Sequence, residues 1–80
     1  MKAWVTVTLK PGVLDPQGKA IEGALRGLGV SAVLSVRQGK VFEVELAAED
    51  PVRAEATLKD AAEKLLANTI IENYRIEVGG

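Results

Sequence analysis

The sequence contains no cysteine and no histidine, and it has only one Trp, one Tyr and one Phe among 80 residues. The first absence removes disulfides, thiolate nucleophiles and cysteine-ligated zinc, so nothing points to an oxidising compartment. The second removes the commonest general base, the Ser-His-Asp arrangement and the usual transition-metal ligand. Charge of one sign is also missing: ten Lys and Arg against eleven Asp and Glu give a formal net charge of −1, and the cations are scattered rather than striped. A polyanion would find no counterion-release footprint here, so nucleic acid is not expected. No apolar run approaches the roughly 18 residues that span a bilayer, and residues 1–6 enter an alternating pattern with no apolar h-region. These features are those of one soluble globular domain over residues 1–80, cytoplasmic and away from membranes. A chain this short buries only about 60% of the surface its unfolded state exposes, so association with a partner chain is expected.

What is present is ordered. Over residues 3–9 the apolar side chains Ala3, Val5, Val7 and Leu9 alternate with Trp4, Thr6 and Thr8, the period of a strand. Asp15 followed by Pro16 supplies an N-cap acceptor and a proline at the first helical position, where a missing N–H costs nothing. The helix that starts there carries Ala20, Ile21, Ala24, Leu25 and Leu28 along one side, and Gly29 suits a left-handed C-terminal position. Residues 30–37 read as a second strand, Gln38-Gly39-Lys40 as a turn, and residues 41–46 as a third strand with Phe42, Val44 and Leu46 facing in. Asp50-Pro51 repeats the helix start, and Leu58, Ala61, Ala62 and Leu65 form the inward face of the second helix. Residues 70–78 complete the pattern with Tyr74, Ile76 and Val78 inward, and Gly79-Gly80 reads as a frayed tail.

The order βαββαβ predicts a ferredoxin-like α+β fold, a four-stranded antiparallel sheet with both helices on one face. The other face, with Trp4, Thr6, Thr8, Val33, Ser35, Val41, Glu43 and Glu45, is then uncovered and reads as a subunit contact.

Candidate chemistry is sparse. Gly27-Leu28-Gly29 and the residues after it match a dinucleotide-binding spacing, but that mechanism needs a strand before the glycines and a helix after them, and the order here is reversed. Gly18, Gly23 and Gly27 line one side of the first helix, which reads as a close approach of another backbone. Glu43 and Glu45 share a strand face and could hold Mg²⁺, though outward carboxylates are ordinary there. Arg37 and Lys40 flank the turn and suit either edge protection or a partner contact. An acylphosphatase-like loop would need an Arg after the first strand, where only Lys10 stands.

Three blocks resemble one family. Val13-Leu14-Asp15-Pro16-Gln17-Gly18-Lys19-Ala20, Val36-Arg37-Gln38-Gly39-Lys40, and Glu63-Lys64-Leu65-Leu66-Ala67-Asn68 followed by Ile71-Glu72-Asn73-Tyr74 are similar, in order and spacing, to the PurS subunit of phosphoribosylformylglycinamidine (FGAM) synthase. The resemblance covers essentially the whole chain. It implies a small non-catalytic subunit that joins the synthetase subunit (PurL) and the glutaminase subunit (PurQ). That complex is an ATP-dependent glutamine amidotransferase-type ligase. It makes formylglycinamidine ribonucleotide from formylglycinamide ribonucleotide, glutamine and ATP in purine biosynthesis. The small subunit is implied to aid ammonia transfer and to be a homo-oligomer, dimer or tetramer. No cofactor or metal is expected on this chain, ATP and Mg²⁺ being used by the synthetase. Without His and Cys the chain cannot itself carry the Cys-His chemistry of a glutaminase. Matching residue by residue, Gln17, Arg37, Lys40 and Asn68 are the expected partner contacts, and Asp15, Pro16, Gly18 and Gly39 the structural motif.

Two other classes compete. A regulatory module with a small effector between ferredoxin-like subunits predicts ligand-dependent thermal stabilisation of the isolated protein. An RNA-binding sheet needs aromatics on its central strands, and only Trp4 and Phe42 are available, the latter facing inward.

Overall fold

The computed structural model describes residues 1–47 and 50–79. Three strands, β1 (Lys2–Leu9), β2 (Gly39–Glu45) and β3 (Glu72–Val78), form one antiparallel sheet in the order β2-β1-β3. Two α-helices, α1 (Pro16–Gly27) and α2 (Pro51–Ala61), accompany it, and α2 runs on into a π-helical turn, Ala62–Leu66.

β1 lies in the middle because its alternation is the strongest, and both neighbours pair to it in matching register. Val5 stands opposite Phe42 on one side and Ile76 on the other, and Val7 opposite Lys40 and Tyr74. Ala3, Val5 and Val7 are wholly buried, and Leu58, Ala62 and Ala67 close over them with Phe42, Val44, Leu46, Leu66, Tyr74, Ile76 and Val78 around the margin. The inward faces expected for β2 and β3 are therefore the observed ones.

The two Asp-Pro starts also behave as the residues dictate. Asp15 Oδ1 accepts the Gly18 N–H at 2.9 Å, and Asp50 Oδ1 accepts the Val52 N–H at 3.0 Å. Gly29 has φ +84°, the left-handed conformation that only glycine adopts without strain.

Four expectations are corrected. Residues 30–37 form no strand, so the sheet has three strands and the hairpin with β2 is absent. Residues 31–32 form a turn and 33–37 take no regular structure, with Val30 and Leu34 exposed, and a strand exists only where a neighbour takes up its backbone groups. Second, α1 adds no residue to the core: Ala20, Ile21, Ala24 and Leu28 are exposed and Leu25 is half-buried, so the helices do not jointly cover one sheet face. Third, Leu65 is 83% exposed rather than inward. The Ala67 N–H reaches back five residues to the Ala62 carbonyl, and this one extra residue in the turn swings Leu65 outward while Leu66 and Ala67 turn in. Fourth, Gly79 is not frayed, since its N–H donates to the Lys2 carbonyl at 2.8 Å; Gly80 lies outside the described residues.

The turn is fastened to the sheet by the Tyr74 hydroxyl, which donates to Glu63 Oε2 at 2.6 Å. That bond to a carboxylate holds the Tyr74 pKa above its ordinary value.

Truncation separates the two leucines. Leu58→Ala should lower the free energy of unfolding by about 2 to 5 kcal/mol, the cost of a cavity at a fully buried leucine. Leu65→Ala should change it by about 0.5 kcal/mol or less, as at an exposed position. Urea unfolding followed by circular dichroism measures both.

Candidate functional site

The turn expected at Gln38-Gly39-Lys40 does not form, because Gly39 and Lys40 already pair with Thr8 and Val7 in β2, and the Asp-Pro start of α1 meets the chain where it enters that strand. Asp15, buried to 5% exposure at the head of α1, caps its own helix with Oδ1 and accepts the Gln38 N–H with Oδ2 at 2.6 Å. Residues 23 apart in sequence are thus tied through one carboxylate. Gly18 is required beneath it. A methyl group there would sit 2.6 Å from Asp15 Oδ2 and collide with the Val36 carbonyl. The close backbone approach expected at the glycine side of α1 is real at Gly18, whereas Gly23 and Gly27 have nothing near them. Gly39 is equally constrained, its missing side chain leaving room for the Val7 carbonyl 2.8 Å away and for Thr8.

Above this tie, between α1 and the uncovered end of the sheet, lies a cavity of about 220 Å³. The strand residues Val7, Leu9, Gly39, Lys40 and Glu72 line it together with Asp15, Gln17 and Gln38. It exists because α1 stands off the sheet instead of packing on it. The Lys40 ammonium is held over the Phe42 ring, 5.5 Å from its centroid. Arg37 stands beside the cavity, its Nη2 donating to the Lys10 carbonyl at 3.0 Å.

The electrostatics follow from this geometry. The Gln38 and Gly18 N–H groups, then the Arg37 charge, hold the Asp15 pKa below its ordinary 3.8 although burial pushes it the other way. Glu72 Oε1 is engaged by the Asn68 N–H at 2.7 Å.

Of the residues singled out in the sequence, Gln17 and Lys40 line the cavity with Asp15 and Gly39, Arg37 borders it, and Gly18 and Pro16 build the helix start below it. Asn68 is elsewhere. Its Oδ1 accepts the Ile70 N–H at 3.2 Å in the turn leading to β3. Glu43 and Glu45 do not face one ion; Glu43 pairs with the Lys2 ammonium at 2.9 Å and Glu45 approaches the N-terminal ammonium at 3.9 Å. Among the described residues no three Asp or Glu side chains gather to hold a metal, and no helix is long and apolar enough to cross a membrane. Sequence reading missed Gln38 and Glu72. Gln38 enters through its backbone N–H and Glu72 through strand pairing with Leu9, neither of which leaves a side-chain signature.

Comparison with known proteins decides the family. Residues 2–80 match the family described as PurS: Phosphoribosylformylglycinamidine (FGAM) synthase. The chain belongs to the PurS family. The curated PurS subunit of Mycobacterium leprae is 48% identical over 75 residues, 94% of this chain and 91% of the relative. The crystal structure of Methanocaldococcus jannaschii PurS superposes with a TM-score of 0.89 at 36% identity, covering 98% of this chain and 94% of that one. A chain of the PurLQS structure from Thermotoga maritima superposes with a TM-score of 0.87 at 34% identity, covering 95% and 93%. This PurS is accordingly a subunit of FGAM synthase, the glutamine-dependent ligase of purine biosynthesis.

The lowered Asp15 pKa has a sign that can be checked. Since the folded carboxylate holds its proton less tightly than the unfolded one, its stabilisation is complete above the ordinary 3.8 and is lost as pH falls through the lower folded value. Asp15→Asn should therefore lower the urea midpoint at pH 7, and the gap from the parent should close progressively below pH 3.8.

Proposed function

We propose that this chain joins the synthetase subunit PurL and the glutaminase subunit PurQ as a non-catalytic assembly subunit, and that it supports passage of ammonia between their active sites. The likeness to a chain of the Thermotoga maritima PurLQS structure carries this reading. Its residue content agrees: without Cys or His the chain lacks the nucleophile and base of glutamine hydrolysis, and ATP and Mg²⁺ belong to the synthetase. In this reading the protein works in the cytoplasm, with the rest of the complex. Gln17, Arg37 and Lys40, exposed around one cavity, are the partner contacts in this reading, with Asn68 a further contact next to Glu72 in the turn before β3.

The chain also works as a homo-oligomer. Its radius of gyration is 15.9 Å, against about 12 Å for a compact domain of this length. Leu28 at 79% and Leu34 at 86% exposure leave apolar surface at the end of α1 and on the segment after it. A second copy that supplies the missing cover, and a backbone neighbour for residues 30–37, accounts for both.

Two measurements test these readings. Formylglycinamidine ribonucleotide synthesis by purified PurL and PurQ should need this chain when glutamine is the nitrogen source and barely respond to it with free ammonia. An equal response, or none, defeats the assembly role. In sedimentation velocity the parent should run as a dimer or tetramer and Leu34→Asp as a single chain; a monomeric parent defeats the second.

A further inference from the structure

The cavity beside Asp15 has a chemistry more specific than a general contact surface. Its two carboxylates are already occupied, Asp15 by the Gly18 and Gln38 N–H groups and Glu72 by the Asn68 N–H. Its cations are not. Lys2, Lys19, Arg26, Lys64, Arg75 and the N-terminus each have a carboxylate within 4 Å, whereas Lys10, Arg37, Lys40, Arg53 and Lys59 pair with none among the described residues. Arg37 spends one N–H on the Lys10 carbonyl, and Lys40, its ammonium over the Phe42 ring, lines the cavity. Gln17 lines it too, with an amide able to donate. Arg53 and Lys59 stand apart on α2, whereas Lys10, Arg37 and Lys40 gather at the cavity.

Size narrows the occupant. At about 220 Å³ the cavity falls below the roughly 300 to 1,000 Å³ of small-molecule sites and matches a side chain. Charge narrows it further. With Asp15 and Glu72 in the lining, a doubly charged phosphate meets more repulsion than a singly charged carboxylate. The geometry points to a seat for an aspartate or glutamate side chain of one of the larger synthase subunits, with Lys40 as its ion-pair partner and Gln17 as a hydrogen-bond donor. This inference rests on the assembly role proposed above and names the chemistry by which that role is exercised.

The test uses the full chain reconstituted with both larger subunits. A carbodiimide, which joins a carboxylate to an amine without a spacer, should link Lys40 to an Asp or Glu of a larger subunit, read by peptide mass spectrometry. Lys40→Arg should lose the link and keep assembly. Lys40→Glu should keep the circular dichroism and melting temperature of the parent and bind about tenfold more weakly, because like charges then face each other. Absence of the Lys40 link in a complex that has formed, or a Lys40→Glu chain that binds as tightly as the parent, overturns the seat while leaving the assembly role standing. A Lys40 link between two copies of this chain overturns it in favour of a homo-oligomer contact. Inorganic phosphate that raises the melting temperature of the parent and not of Lys40→Glu overturns it in favour of a free anion. Failure of the parent to bind the larger subunits or to support glutamine-dependent turnover overturns the assembly role itself.

Discussion

One carboxylate governs how this chain is arranged outside its sheet. Asp15 receives two backbone N–H groups from segments far apart in sequence, one inside its own helix and one at the entry to β2. Because α1 shares no side chain with the hydrophobic core, hydrophobic burial does not fix its position. A charge-assisted polar knot does so instead, with the Arg37 bond to the Lys10 carbonyl as a second stitch across the same loop. Gly18 and Gly39 follow from that knot, since each keeps clear a space that a methyl group would fill with a backbone carbonyl or the carboxylate itself.

The division of labour that results is uncommon in so short a protein. One side of the sheet, under α2 and its π-helical turn, is packed as a normal interior, with Val5, Val7 and Leu58 wholly enclosed. The other half of the chain is fixed by polar contacts and keeps its apolar residues facing outward. The cavity beside Lys40 and the exposed apolar surface on α1 are two consequences of the same displacement. A helix lying on the sheet would fill the first and hide the second. In a subunit of a larger synthase, surface left unsatisfied within the single chain is the material from which contacts are made.

Most of the core side of the fold was legible in the sequence. Period-two alternation in residues 3–9 identified the central strand, and the two Asp-Pro pairs located both helix starts to the residue, because each feature is decided by local chemistry. Residues 30–37 misled because β-branched and apolar content declares an extended chain without saying which chain will pair with it. Leu65 misled because helical periodicity assumes an unbroken α register, and the i to i+5 bond at Ala62 interrupts it. The cavity was half legible. Gln17, Arg37 and Lys40 drew notice as side chains, while Gln38 and Glu72 serve through backbone pairing and left nothing to notice.

The sheet order carries a consequence for how the molecule is made. β1 is the first strand synthesised and the middle strand of the sheet, and its partners are the second and the last. Ala3 faces Val44 on one side and Val78 on the other, and even the nearest pair, Thr8 and Gly39, closes a loop of about thirty residues, so neither pairing is local. Folding should therefore be slow for a protein of this size, limited by the search for distant partners rather than by helix formation. Until residues 72–78 arrive, the most apolar strand has one edge open and offers it to any other extended chain, including a nascent copy of itself.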